Sequence, residues 1–348
     1  MRAAFGRSAA LRIRNWRKVD SVTIRLGYQI PNFSYGTSMR ELFPTVVAQA
    51  RAAEQSGFDT VFAMDHFYQL PAIGSPDEPM LEAYTTLSGL AAATERVQLS
   101  ALVTGNTYRN PAMLAKTVTT LDMVSGGRAV LGIGAGWFEL EHQSYGYEFG
   151  TFADRFERLE EALQIIEPML RGQRPSFRGS WYQVDNAMNE PRIRDDLPIM
   201  IGGGGEKKTF RLAARYADHL NILCNASELP RKLDALHERC AEVGRDPQTL
   251  ETSYLCFLVM DDDADLARKR LQALLDRMGI DLSTMSAQEI EQSMADRVFV
   301  GTPDDIAEQL KTRVLDLGVD GLTINLTSNG HQPGVIELAG RALAPLVR

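Results

Sequence analysis

The sequence predicts an α/β fold, a (β/α)8 TIM barrel with insertion segments, over residues 22–348. Three observations predict it. From Thr23 onward, short apolar runs rich in β-branched residues alternate with amphipathic helical patterns, the signature of βαβ units and a parallel sheet. Eight such runs occur, each followed by a helical pattern, and eight is the number at which parallel strands of this kind close. No Gly-rich turn follows the first run, which disfavours a doubly wound open sheet. A length of 348 residues suits one barrel domain.

Each element has its own local reason. The first strand, 24–30, precedes a helix over 39–56 that stops at Ser56-Gly57. Strand 59–64 precedes helix 82–94, and strand 97–103 precedes helix 110–124, which ends at Ser125-Gly126-Gly127. Strand 129–134 is separated from its helix, 154–171, by the long connection 135–153. A second long connection, 172–196, contains "PSFRGSWYQV", which reads as a small hairpin with Arg178-Gly179 at the turn. Strands 197–202, 218–223 and 252–259 follow, with helices 206–216, 228–243 and 263–278. After an irregular stretch, 279–300, Thr302-Pro303 opens helix 303–317 as N-cap and N1 proline. Strand 320–325 and a last helix, 333–346, complete the chain. Connections as long as these three are usually functional in a compact domain.

Composition narrows the function classes. Hydrophobic content of 44% with 24% charged residues is that of a globular protein with material for a large core. The net charge of −8 argues against nucleic acid and anionic membrane as partners, leaving a small-molecule substrate as the expected one. No apolar run approaches the ~18 residues of a membrane span. Cys224, Cys240 and Cys256 are too widely spaced for a CxxC pattern and odd in number, as expected of reduced thiols in a cytoplasmic protein. Residues 1–21 are basic, with no acid before Asp20, and lack an apolar segment with a cleavage site. They read as a disordered extension or an over-long start, with a targeting peptide as the competing reading.

In a barrel of this kind sites form where strands end, so the residues after each strand carry the chemistry. After the second come Asp65 and His66; after the third Val103, Thr104 and Gly105; after the fourth Gly134, Gly136 and Trp137; after the fifth Gly202, Gly203, Gly204 and Gly205. The stretch "AVLGIGAGWFELE" resembles a dinucleotide fingerprint, but Trp137 occupies the third glycine position and no strong helical pattern begins before about Asp154. The four-glycine run suits a phosphate held by backbone amides, or else a turn that lets a helix pack closely. It is not a P-loop, because Glu206 precedes Lys207. His66 is the expected catalytic group, with Asp65 orienting or tuning it, although neighbours on a strand face opposite ways. Glu141 and His142 fall in the loop 135–153. Trp137, Phe138, Trp181 and Tyr182 either roof a planar ligand or anchor the long loops. No HxH or HExxH spacing supports a metal.

The segments "GFDTVFAMDHF", "LSALVTGNTYRNPAMLAKTVTTLDMVSGGRAVLGIGAGW", "ERLEEALQII", "PIMIGGGGEKKTFRLAARYADHLN" and "VGTPDDIAEQL", in that order, resemble the bacterial luciferase-like monooxygenase superfamily. Asp65-His66 and Gly134-Ala135-Gly136-Trp137 point to its F420-dependent, deazaflavin branch. The resemblance implies a hydride-transferring oxidoreductase with coenzyme F420 and an unidentified organic substrate. The alternative it leaves is an FMN-dependent monooxygenase using reduced flavin and O2, and a barrel that only stores or senses a flavin is a third. It implies a non-proline cis peptide and a bulge around Val103, Thr104 and Gly105 against one face of the ring. The cofactor's phosphate would lie on Gly202 to Gly205, His66 at the ring's reactive edge, and the protein would be a homodimer. One departure is visible: the sugar-phosphate dehydrogenase branch carries an acid directly after the G-x-G turn, where this chain has Trp137, and that disfavours sugar-phosphate oxidation.

Overall fold

The structure, a computed structural model, describes residues 24–277, 294 and 296–347. Its strands are β1 (Leu26–Ile30), β2 (Thr60–Ala63), β3 (Gln98–Ala101), β4 (Thr104–Gly105), β5 (Ala129–Gly134), β6 (Phe177–Arg178), β7 (Gln183–Val184), β8 (Ile199–Gly202), β9 (His219–Ile222), β10 (Glu251–Met260), β11 (Val298–Gly301) and β12 (Gly321–Asn325). The helices are α1 (Met39–Gln55), α2 (Ala83–Ala93), α3 (Pro111–Ser125), α4 (Glu139–Tyr145), α5 (Phe152–Leu170), α6 (Thr209–Tyr216), α7 (Leu229–Glu242), α8 (Ala264–Arg277), α9 (Pro303–Arg313) and α10 (Val335–Leu343).

Eight parallel strands close in the order β1, β2, β3, β5, β8, β9, β10, β12 and back to β1, so the expected barrel is the observed one. The expected helix boundaries recur where local chemistry is strongest. Asn110 accepts from the amides of Ala112 and Met113 ahead of Pro111, Gly126 ends α3 in the left-handed region (φ 68°), and Thr302 with Asp305 caps α9. The main apolar core lies between the strands' outward faces and the helices. The barrel's interior is plugged by Ile24, Phe62, Val130, Met200 and Leu255, so it is a packed core and the open space lies above it.

Several elements depart from expectation. α4 forms inside the stretch 135–153, ended by Gly146 in the left-handed region (φ 74°), and α5 starts at Phe152. α6 starts at Thr209, three residues after the expected 206, because a turn precedes it. The hairpin exists, but Arg178 is in its strand and the turn runs over 179–182, closed by Gly179 N–H donating to Tyr182 O at 2.9 Å. β11 extends the sheet outside the barrel by pairing with Phe257–Met260 at the overlong end of β10. The rest of the stretch 279–300 up to 293, with residue 295, and the extension 1–21 lie outside the described residues. Among the described residues no helix is long and apolar enough to cross a membrane, and no group of three or more His, Cys, Asp or Glu is placed to hold a metal ion. The three cysteines are free thiols.

Candidate active site

Above the plug, at the carboxyl ends of the strands, lies a cleft of about 1000 Å³, counting the open space at its mouth. That is enough room for a ligand of cofactor size. Gln29, Asn221 and Asn325 form a polar floor, while Leu70, Ile73, Leu255 and Phe257 supply apolar walls.

Why the floor has its shape follows from one connection. Between β3 and β4 the peptide bond Leu102–Val103 is cis. Gln29 Nε2 donates to the Leu102 carbonyl at 3.1 Å, and Asn325 Nδ2 donates to Gln29 Oε1 at 2.8 Å, so two neighbouring strands hold this turn from below. The turn intrudes on β5 and β8. A Cβ at Gly132 would lie 1.9 Å from the Ala101 carbonyl oxygen, and one at Gly134 or Gly202 would lie 2.8 or 2.6 Å from a Val103 methyl. Contacts that short are forbidden in a packed interior. The glycines that imitate a dinucleotide fingerprint are therefore there to admit the neighbouring strand's bulge.

Asp65 and His66 leave β2 in different directions. Asp65 is buried and bound at both oxygens by Arg109, at 2.5 and 2.9 Å, and it accepts the Gly105 amide at 2.9 Å. Arg109 also reaches Glu82 at 2.8 Å and lies over the Tyr84 ring. Burial alone would lower the guanidinium's proton affinity, but the charge and hydrogen bonds of Asp65 outweigh it and raise that affinity, so Arg109 stays charged. Asp65 thus fixes the strand that follows the cis bond, and the acid that touches His66 is a different one.

That acid is Glu141, on α4. It has no exposed surface, and its Oε2 lies 3.0 Å from His66 Nδ1 and accepts the Tyr108 hydroxyl at 2.5 Å. Its Oε1 accepts the backbone amides of Phe67 and, at 3.2 Å, Tyr68. Burial pushes this carboxyl up; the bonds from His66, Tyr108 and Phe67 more than reverse it and hold it below the ordinary carboxylate range. Tyr108, buried against that carboxylate, is pushed well above the ordinary phenol range, first by burial and then by its bond to Glu141. His142, the next residue, is also buried, with Nε2 2.7 Å from Thr107 Oγ1 and Nδ1 2.8 Å from the Phe138 carbonyl. Both residues were expected in a loop; instead they clamp α4 onto the rim. The sequence signal for this helix is its stop, Tyr145-Gly146.

Of the residues expected to meet a cofactor, Val103, Thr104, Gly105, Gly136, Trp137, Gly202 and Gly203 line the cleft, with Asp65 and His66 beside them. Gly134 lies behind Val103, and Gly204 and Gly205 lie away from the cleft wall. The Gly203 amide donates to the Asn221 carbonyl at 3.0 Å, so it is no free anion donor, and the Gly204 carbonyl accepts from Lys232 at 2.8 Å. Trp137 is 59% exposed at the mouth, with its ring edge-on to His66 at 5.8 Å and stacked with Phe138 at 5.1 Å. Trp181 and Tyr182 anchor the hairpin: Glu161 accepts three consecutive amides, of Ser180, Trp181 and Tyr182, and Arg158 lies 4.1 Å over the Trp181 ring.

Comparison with known families decides the chain's place. The model of the family described as luciferase-like monooxygenase matches residues 24–321. The chain belongs to that family. Among its curated relatives, this luciferase-like protein is 30% identical over 337 residues to the F420-dependent glucose-6-phosphate dehydrogenase of Nakamurella multipartita, covering 91% of this chain and 96% of the relative. It is 27% identical over 327 residues to the 5,10-methylenetetrahydromethanopterin reductase of Methanolobus tindarius, covering 84% and 94%. A solved F420-dependent secondary alcohol dehydrogenase, in complex with an F420-acetone adduct, superposes with a TM-score of 0.76 at 22% identity, over 94% of this chain and all of that one, and shows the same fold.

Proposed function

We propose that this luciferase-like protein is an F420-dependent oxidoreductase that moves a hydride between the deazaflavin and a small organic substrate. The observation that carries the reading is the cleft itself: apolar walls, a polar floor and a single imidazole at one edge, on the rim of a barrel whose relatives are F420-dependent enzymes. Such a donor set fits a flat ring that is apolar on its faces and polar along its rim. When bound, the deazaflavin supplies a carbon that gives or takes hydride as a two-electron carrier.

The chain's own residues do the rest. Val103, Thr104 and Gly105 support one face of the ring, fixed from below by Gln29 and from the side by Asp65. The cleft wall at Gly202 and Gly203 leaves room for the charged tail, with Gly203 contributing space and not its amide. His66 holds or delivers the proton that accompanies hydride transfer, through the ring nitrogen not engaged by Glu141. Asp65 acts through Arg109 and the Gly105 amide as a positioning residue. Trp137 covers the mouth and keeps water from the reacting centre. Its bulk stands where the sugar-phosphate dehydrogenase branch carries an acid, which disfavours glucose 6-phosphate as the substrate. A homodimer in the cytoplasm belongs to the same proposal; light scattering checks the first.

Titration of the purified protein with oxidised and reduced F420 and with FMN, followed by Trp fluorescence, tests the cofactor. Tighter binding of F420 is expected; tighter FMN binding with O2 consumption would replace the proposal by a monooxygenase. His66→Ala is expected to leave F420 binding intact and to lower kcat by about 10²–10⁴-fold. Binding with no turnover across a panel of ketones, enones and imines would leave a storage protein.

A further inference from the structure

The contacts around Glu141 determine more than the place of His66. Glu141 Oε1 receives two backbone N–H groups, those of Phe67 and Tyr68, which can only donate. Oε2 faces His66 Nδ1 and the Tyr108 hydroxyl. A carboxylate held below its ordinary range is ionised at neutral pH and can only accept. The nitrogen 3.0 Å away must therefore carry the hydrogen.

We propose that Glu141 is a positioning residue that fixes His66 as the Nδ1–H tautomer, turns a bare Nε2 toward the cleft, and stabilises the imidazolium once Nε2 has taken a proton. As a role in the reaction this rests on the hydride-transfer reading; as a statement about the ring it stands alone. The surroundings leave Glu141 as the sole carboxylate in contact with the imidazole among the described residues. Asp65, on the same segment, is bound by Arg109; Tyr108 donates to Glu141; His142 is engaged by Thr107 and Phe138; and the rings of Trp137 and Phe138 meet His66 edge-on. In hydride transfer from reduced cofactor to a carbonyl, the carbonyl carbon gains the hydride, its C=O π pair becomes an alkoxide, and the proton on Nε2 neutralises it, returning His66 to the neutral Nδ1–H form. Substrate oxidation runs through the same states in reverse: the substrate's O–H proton goes to Nε2 and its C–H hydride to oxidised F420.

The same contacts make an unusual prediction for Glu141→Gln. The two backbone amides oblige the glutamine to place its oxygen on Phe67 and Tyr68, which puts its NH2 against His66 Nδ1. That nitrogen then has to accept, and the hydrogen moves to Nε2. The isosteric substitution should invert the tautomer, not merely loosen the ring.

Nitrogen-15 NMR of the labelled full-length protein without cofactor tests this, with His66→Asn identifying the resonance. In the wild type the neutral ring is expected as Nδ1–H. In Glu141→Gln it is expected as Nε2–H. Tyr108→Phe, which keeps the carboxylate, should retain the wild-type tautomer. A wild-type ring found as Nε2–H overturns the proposal, and that measurement decides even if Glu141→Gln does not fold; an unchanged tautomer in a folded Glu141→Gln overturns it as well. With a substrate in hand, Glu141→Gln should shift the pH profile of kcat with KM nearly unchanged. Failure of wild-type turnover would count against the hydride-transfer reading and leave the ring measurement standing.

Discussion

The two sides of the cleft are built in opposite ways. One, around His66, is made of side chains: two buried carboxylates, Asp65 and Glu141, each gathering three or more donors from segments 33 or more positions away in the chain. The other, around Gly202 to Gly205, is made of missing side chains, where Val103, Thr209 and the Leu223 carbonyl fill the space that a Cβ would need. The difference teaches that the first side fails when a partner is removed and the second when an atom is added.

The largest expected effect tests the first side. Arg109→Leu leaves Asp65 buried without its cation, and losing one member of such a pair costs about 3–5 kcal/mol. Urea unfolding measures it; a loss under about 1 kcal/mol would show that this side does not depend on its charge pairing. On the opposite side, Gly204→Ala places a Cβ 2.3 Å from the Leu223 carbonyl oxygen, which must move. A cost of about 1–3 kcal/mol is expected, together with weaker F420 binding, because Leu223 lines the cleft. An alanine tolerated there without change in Tm or affinity would break the comparison. A smaller effect belongs to the exposed Trp137: replacing it by Ala should weaken cofactor or substrate binding by about 0.5–1.5 kcal/mol, the worth of an aromatic contact, with stability unchanged. Calorimetric titration would show it.

The smallest effect is a pH dependence. Burial lowers the proton affinity of His142, outweighing the Phe138 carbonyl that favours its charged form. With the folded value below the ordinary 6.5 or so of an unfolded histidine, the unfolded chain binds more protons in the window just beneath it. Stability is then fully present above that window and is lost as pH falls through it. Denaturation curves at pH 7.5 and 5.5 should show a smaller difference in His142→Gln than in the wild type.

Much of the barrel was legible because strand period, helix caps and turn residues act over a few positions. The glycines at 132, 134 and 202 to 205 were legible as a signal, although their reason was not: Gly134 was expected against a cofactor and instead makes room for Val103, which approaches from the neighbouring strand. α4 was not legible, since a short amphipathic pattern inside a long connection has too few turns to show a period. β11 was missed because it pairs outside the closed barrel, along an overlong β10.

The sequence by itself determined the eight strands of the barrel and the main helix after each, and that Asp65 and His66 stand at a strand's carboxyl end, since these follow from local periodicity and capping. Only the tertiary structure decided that Arg109 would hold Asp65 and that Glu141, 75 positions along, would hold His66. Hydrogen-bond partnership depends on distances below about 3.2 Å that barrel closure sets, and no spacing along a chain encodes them.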